Sequence, residues 1–207
     1  MSEGADCGNK VVWKAHAHEK VGVVASRSGK PCIVEYSEIS MEMAESTDDA
    51  GRLKYGAGNI CNHFYSIEFL KDKVLPNMGN MYHIAHKKIP YFDEETKTTI
   101  TPASNNGIKL ETFIFDVFPL STKMAVFEIG REEEFSPVKN APGSATDSPD
   151  TARAMISQLS KAWMREAGAN LVGDVESGVC EVSPLSSYSG EGLGAHSGKD
   201  IDCPFSL

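Results

Sequence analysis

Short runs of β-branched and apolar residues alternate with helix-like segments along the first 130 residues, and this alternation constrains the fold most strongly. The strand candidates VVWKAH, VGVVAS and PCIVEYSEI are separated by turns, the last two by the glycine-containing SRSGK. AGNICNHFYS, HIAHKKI, the TTI of KTTITPA and KMAVFEI are further strand candidates. Ser66 is placed to cap a short helix over IEFLKDKVL, which Pro76 ends. Strands alternating with helices predict an α/β architecture.

The segment KLETFIFDVFPL, residues 109–120, has the apolar spacing of a helix rather than of a strand. Its apolar positions recur at i, i+3, i+4, i+7 and i+8, and they are Leu110, Phe113, Ile114, Val117 and Phe118. Glu111 would lie in the first turn, where the helix dipole favours a negative charge. Phe115 is outside the apolar face, so either a second element covers it or it forms the wall of a pocket.

The second half of the chain contains one strongly patterned helix. Ser148 followed by Pro149 is a helix-start signal, and Gly168 is placed to end the helix. Its apolar stripe comprises Ala152, Met155, Ile156, Leu159, Trp163 and Met164. The preceding APGSATDSPD, rich in Pro, Gly and Ser, is typical of a linker. These patterns predict a boundary near Asn140, which gives domains over residues 1–140 and 141–207.

Composition restricts the possible partners. Among the 207 residues, 41% are apolar and 24% are charged, as in an ordinary globular protein, and the net charge is −9. That charge argues against nucleic acid or an anionic membrane as a partner, so binding of an anion would require positive charge concentrated locally. The five cysteines include no C-x-x-C pair, and no apolar run reaches the roughly 18 residues of a membrane span. With no signal-peptide core near the start, the simplest interpretation is a cytoplasmic protein.

Four segments contain residue types that bind sugars and phosphates: VEYSEIS, AGNICNHF, NNGIKLETFIFD and EFSPVKNA. Taken singly, each has an ordinary surface or turn interpretation, and the chain contains no G-x-S-x-G, H-E-x-x-H or phosphate-loop motif. In this order, and together with ADCG, VGVV, GRLKYG, HKKIPY, TAR and SPLSSYSGEGL, they resemble the C-terminal portion of the eukaryotic UDP-N-acetylglucosamine (UDP-N-acetylhexosamine) pyrophosphorylases. The resemblance extends to about Leu193 and then weakens.

The resemblance implies part of a nucleotide-diphospho-sugar transferase (Rossmann-like) fold, a mixed sheet flanked by helices, followed by the start of a small C-terminal domain. Residues 1–140 would be the sugar-binding half of the catalytic domain. The family's glycine-rich UTP loop, G-G-x-G-T-R-L-G, does not occur in the sequence. We therefore expect a fragment, a truncated isoform or a mispredicted gene product. The alternative is a non-catalytic module that retains a sugar-phosphate-binding or partner-binding surface.

The family reaction joins UTP and N-acetylglucosamine 1-phosphate into UDP-N-acetylglucosamine and pyrophosphate with Mg²⁺, whose ligand would lie outside this chain. His63, His83 and His86 are interpreted as structural or surface residues. By resemblance, Lys139 is the sugar-side phosphate lysine and Lys109 a second phosphate contact. The substrate-binding residues that the resemblance implies are Gly22, Glu35, Tyr36, Asn59, Phe113 and Phe115. Of these, Gly22, Glu35, Tyr36 and Asn59 are expected to converge with the two lysines on one cleft. Phe113 and Phe115 would form an apolar wall near the N-acetyl group, although two helix positions two residues apart cannot face the same way.

Overall fold

The structure, a computed structural model, describes residues 4–79 and 82–207. The chain forms two compact units, Met1–Glu128 and Ile129–Leu207. Whether they correspond to a catalytic domain and a small C-terminal domain stays a prediction. Within the described ranges, no helix combines the length and the apolar character needed to cross a membrane.

A five-stranded mixed sheet forms the centre of the first unit. Its strands are β1 (Cys7–Trp13), β2 (Val23–Arg27), β3 (Lys30–Val34), β4 (Ala57–Tyr65) and β9 (Met124–Glu128). They lie in the order β3-β2-β4-β1-β9, with β1 antiparallel to β4 and parallel to β9. Ser28 and Gly29, both with positive φ, form the two-residue turn between β2 and β3. The α/β architecture and the mixed sheet are thus confirmed.

Two small antiparallel pairs extend this unit. β5 (His83–Lys87) pairs with β8 (Gly107–Glu111), and β6 (Tyr91–Asp93) pairs with β7 (Thr98–Ile100). The α-helices are α1 (Met41–Glu45) and α2 (Ile67–Phe69). After α2 the chain continues as a π-helix over Leu70–Val74 and a 3-10 helix over Leu75–Asn77. Ser66 caps α2 as predicted, since its hydroxyl accepts a hydrogen bond from the backbone N–H of Phe69 at 3.1 Å.

The helix predicted from residue 110 to residue 118 does not form. Backbone pairing with β5 keeps the chain extended as far as Glu111, and the Asp116 carboxylate then accepts a hydrogen bond from the backbone N–H of Phe113 at 2.8 Å. An aspartate that binds nearby backbone in this way competes with helix formation. The helix-like spacing is therefore coincidental: Phe115 and Phe118 enter the core, whereas Leu110 and Ile114 are exposed. The core around Phe115 also contains Cys7, Phe69 and Val74.

The second unit is built on one long helix. It contains α3 (Arg131–Glu134), α4 (Pro149–Glu166) and the parallel strands β10 (Asn170–Gly173) and β11 (Asp200–Cys203). Ser148 caps α4 by accepting a hydrogen bond from the backbone N–H of Thr151, and Gly168 follows the helix with a φ of +87°. Both ends of the predicted helix are confirmed. The hydrophobic core of the second unit comprises Met164, Ala169, Val182 and Leu193.

Candidate functional site

Gly22, Glu35 and Asn59 meet because they lie on or beside the adjacent strands β2, β3 and β4. The backbone N–H of Asn59 donates a hydrogen bond to the carbonyl oxygen of Gly22 at 2.7 Å. Glu35, which directly follows β3, packs against Gly22 so closely that a methyl group there would lie 2.7 Å from its Oε1. Gly22 and Asn59 are buried and Glu35 is partly buried. These three predicted residues therefore form one cluster.

A bulge in β4 fixes the side-chain amide of Asn59. The β1–β4 register shifts between Lys10 and Val11, and Cys61 has a φ of +59°. The backbone N–H of Cys61 points at the Asn59 side chain, and because this group can only donate, the atom that it contacts at 3.1 Å is Oδ1. The other side-chain atom of Asn59, Nδ2, is the donor, and its contact with the sulfur of Cys61 is long, at 3.6 Å.

His63 holds the same amide from the other side. Its Nε2 lies 2.9 Å from Oδ1 of Asn59, so Nε2 carries the proton and donates. Burial lowers the pKa of His63, which favours the neutral ring. The hydroxyl of Tyr65 lies 3.3 Å from Nδ1 of His63 and donates to the carbonyl oxygen of Ile114 at 2.7 Å. The sequence predicts only a structural or surface role for His63, because the bulge that brings it to Asn59 leaves no pattern in the residues.

Phe113 and Phe115 stack on each other, contrary to the expectation that they face different ways. Their ring centroids are 4.9 Å apart and their planes differ by 15°. The expectation was wrong because it assumed a helix, whereas these residues lie in a turn after β8. Phe115 also meets the His63 ring edge-on at 6.1 Å, which connects the aromatic pair to Asn59 through His63. Phe115 is buried, and Phe113 lines a mostly apolar cavity of about 530 Å³.

Lys109 and Tyr36 have other surroundings. Lys109 lies within β8 rather than ahead of a helix, and its Nζ is 3.0 Å from a carboxylate oxygen of Glu111. The hydrogen bond from Lys109 lowers the pKa of Glu111. Tyr36 is about half exposed and lines a cavity of about 170 Å³ with Lys14 and His18.

Lys139 is in the second unit, in the loop between α3 and α4. Its backbone N–H and that of Asn140 both donate to the carbonyl oxygen of Asp147, at 2.7 and 2.9 Å. The Lys139 side chain is exposed, as are the preceding acidic residues 132–134. Its convergence with Glu35 and Asn59 stays a prediction.

The acidic and histidine side chains suggest no metal centre in this part of the protein. Across residues 4–79 and 82–207, no three His, Cys, Asp or Glu side chains come together in a group that could hold a metal ion. His83 instead pairs with Asp116 at 2.7 Å and with Glu38 at 3.4 Å. The expectation that the Mg²⁺ ligand lies outside this chain stays a prediction.

Comparison with known proteins extends over nearly all of the chain. The family described as UTP–glucose-1-phosphate uridylyltransferase matches residues 1–174. The UDP-N-acetylglucosamine pyrophosphorylase of Saccharomyces cerevisiae is 47% identical over 98% of this chain and 42% of its own length. The human UDP-N-acetylhexosamine pyrophosphorylase-like protein 1 is 45% identical over 99% of this chain and 44% of its own length. The chain thus spans about two-fifths of the length of these relatives.

Solved structures of proteins with the same names as these relatives are also similar to this chain. A candidate UDP-N-acetylglucosamine pyrophosphorylase from Entamoeba histolytica superposes with a TM-score of 0.84 at 37% identity, over 98% of this chain and 50% of that one. The enzyme from Trypanosoma brucei, solved with an inhibitor, gives 0.72 at 31% identity, over 94% of this chain and 40% of that one. The chain belongs to the UTP–glucose-1-phosphate uridylyltransferase family, and within it to the UDP-N-acetylhexosamine pyrophosphorylases, of which it spans a part.

Proposed function

We propose that this chain supplies the sugar-phosphate side of a uridylyltransferase that forms UDP-N-acetylglucosamine and pyrophosphate from UTP and N-acetylglucosamine 1-phosphate. The observation that carries the proposal is the cluster of Gly22, Glu35 and Asn59. A carboxylate and an amide of fixed orientation, carried by the strands on either side of Gly22, suit a sugar, because the carboxylate accepts from hydroxyls and the amide N–H donates.

Each residue of the cluster has a distinct part in binding. Glu35 accepts hydrogen bonds from two neighbouring sugar hydroxyls, and Asn59 donates from Nδ2, since its Oδ1 already accepts from Cys61 and His63. Gly22 leaves room for Glu35 to approach. The Phe113–Phe115 stack is the apolar surface proposed for the N-acetyl methyl group, and Tyr36 extends the wall beyond Glu35.

The lysines act on charge. The attacking phosphate oxygen is already anionic near neutral pH, so the reaction needs positioning and charge neutralisation rather than a general base. Lys139 stabilises the charge that gathers on the phosphoryl oxygens as the new bond forms, and Lys109 is a second phosphate contact. The UTP loop and the Mg²⁺ ligand would come from the part of the relatives that this chain does not span. Mg²⁺ supplies further charge neutralisation on the phosphates when it is bound.

A binding measurement tests the sugar site without turnover. Asn59→Asp keeps the size and the acceptor of the side chain but replaces the Nδ2 donor with an oxygen. We expect this change to weaken the binding of N-acetylglucosamine 1-phosphate to the 207-residue chain by about 10- to 100-fold in calorimetry. Asn62→Asp, at an exposed position on the same strand, is the matched control. Equal affinity in the two variants would contradict the sugar-site assignment.

An activity measurement tests the phosphate site. We expect the 207-residue chain to release no measurable pyrophosphate, and the chain extended through the missing segment to turn over with UTP and Mg²⁺. In the extended chain, Lys139→Ala should lower kcat about 100-fold, whereas Glu35→Ala should act mainly on the KM for the sugar phosphate. Lys199→Ala, another exposed lysine of the second unit, is the control. An unchanged kcat in Lys139→Ala would remove that lysine from the mechanism.

The alternative, a non-catalytic sugar-phosphate-binding module, is favoured by one observation. The Gly22–Glu35–Asn59 cluster is formed entirely within the first unit, so sugar binding would not require the UTP loop. Transcript sequencing distinguishes the two. An in-frame upstream G-G-x-G-T-R segment supports the enzyme, and a transcript that begins translation at Met1 supports the module.

A further inference from the structure

A cavity of about 220 Å³ lies beside α4 in the second unit. The helix contributes residues spaced by three and four positions from Asp150 to Lys161, and the segment from Glu176 to Val179 forms the opposite wall. This spacing places the helix residues on one face, along about 16 Å of the axis. The cavity is therefore an elongated groove, which we call the α4 groove.

Lys161 lines the α4 groove and is almost completely buried, with 1% of its surface exposed. Its ammonium group makes no hydrogen bond and no ion pair with any residue in the described ranges. Lysine is rarely buried without a partner, because an unpaired charge loses its hydration and gains nothing in exchange. Among the described residues, no carboxylate forms an ion pair with Lys161.

Ser157 and Asp174, two polar residues of this region, accept hydrogen bonds of their own. The hydroxyl oxygen of Ser157 accepts a hydrogen bond from the backbone N–H of Cys180 at 2.8 Å, which leaves its own proton available in the groove. The Asp174 carboxylate accepts hydrogen bonds from Ser177, from its hydroxyl at 2.7 Å and from its backbone N–H at 3.1 Å. These bonds lower the pKa of Asp174, to which the charge of Lys161 adds a smaller contribution.

The other charges of the α4 groove act from exposed positions. Asp150, Arg153 and Glu176 all line it and are all exposed to solvent. Water and salt screen exposed charges, whereas a buried charge acts through a lower dielectric constant. Lys161 is therefore the charge of the groove lining that water and salt screen least, and the formal charges of the lining residues sum to zero.

We propose that the α4 groove binds a small oxyanion, a carboxylate or a phosphate group, through the ammonium group of Lys161. The hydroxyl of Ser157 donates a further hydrogen bond to the same anion. This site consists of second-unit residues that have no part in the proposed sugar site, and it stands whether or not that function is correct.

Anion-dependent thermal unfolding of the 207-residue chain tests the proposal. Inorganic phosphate and acetate are the two probes, each compared with chloride at equal ionic strength. At ten times its dissociation constant, a bound anion should raise Tm by about 3–5 °C. A shift with both probes identifies a general oxyanion site, and a shift with one alone identifies a phosphate or a carboxylate site.

Lys161→Met removes the charge at similar length and should weaken binding of the effective anion at least tenfold. Lys199→Met, at an exposed position of the same unit, should bind as the wild type does. Because Lys161→Met changes a buried position, phosphate line broadening in phosphorus NMR of the wild-type chain provides a second measurement. The absence of any anion-specific shift in the wild-type chain, or an equal shift in Lys161→Met, would overturn the proposal.

Discussion

Gly22→Ala is the sharpest test of how the candidate site is packed. A methyl group at this position would lie 2.7 Å from Oε1 of Glu35 and 2.9 Å from Cγ2 of Ile33, whereas ordinary contacts begin at 3.4 Å. The Glu35 carboxylate ends a flexible chain and can swing away, but Cγ2 of Ile33 is attached close to the backbone of β3. Overpacking of this kind costs about 1–3 kcal/mol, and we expect about 2 kcal/mol here.

Urea unfolding of the 207-residue chain measures this cost, with Gly8→Ala as the matched control. Gly8 lies on β1 of the same sheet, and a methyl group there meets Phe64 and Ala125 at an ordinary 3.8 Å. Gly8→Ala should leave the free energy of unfolding unchanged or raise it by about 0.4–1 kcal/mol, because alanine restricts the unfolded chain.

The double variant Gly22→Ala/Glu35→Ala separates the two contacts. It removes the carboxylate but keeps the contact with Ile33, so it should recover only part of the lost stability. The resulting coupling energy should be about 0.5–1.5 kcal/mol, in the range found for residues in contact. Equal midpoints for Gly22→Ala and Gly8→Ala would refute the close packing around Gly22, and a coupling energy near zero would refute the close approach of Glu35 to Gly22.

Three further outcomes are expected. Burial lowers the pKa of His63, so its contribution to stability is complete above about pH 6.5 and is lost as the pH falls through its folded pKa. Burial alone would also lower the pKa of His83, but its partners Asp116 and Glu38 raise it. The contribution of His83 is therefore complete below about pH 6.5 and is lost as the pH rises through its folded pKa. The free energy of unfolding, measured in urea at several pH values, should therefore change its pH dependence in opposite directions in His63→Gln and His83→Gln. The same pH dependence in both variants would contradict both assignments. Ser148→Ala should lower the free energy of unfolding by about 1 kcal/mol and reduce the helicity measured by circular dichroism, with Ser186→Ala as an exposed control. Equal stability of the two variants would contradict the cap. Asn9→Leu should leave the free energy of unfolding unchanged or raise it by about 1 kcal/mol, because neither polar side-chain atom of this buried amide has a hydrogen-bond partner among the described residues. A clear loss of stability in urea would show that Asn9 does have such a partner.

Local sequence was sufficient where local interactions decide the structure. The start and end of α4 follow from Ser148, Pro149 and Gly168, because a cap, a fixed φ and a left-handed residue act within one helical turn. The strands β2, β3 and β4 follow from their β-branched residues, and the turn between β2 and β3 from a glycine that accepts a positive φ. The family was also readable, since the resemblance rests on the residues themselves and on the order of their segments.

Tertiary structure decided everything that depends on a partner strand or on burial. Residues 110–118 have a helical pattern, yet pairing with β5 and the Asp116 side chain make them a strand end and a turn, and only this turn stacks Phe113 on Phe115. The approach of Glu35 to Gly22 depends on the strand order of the sheet. His63 reaches Asn59 because of a bulge, and Lys161 is buried only because the second unit folds over α4. A sequence pattern indicates which secondary-structure element a segment can form. Backbone hydrogen bonds between distant segments determine which element does form and which residues its side chains contact.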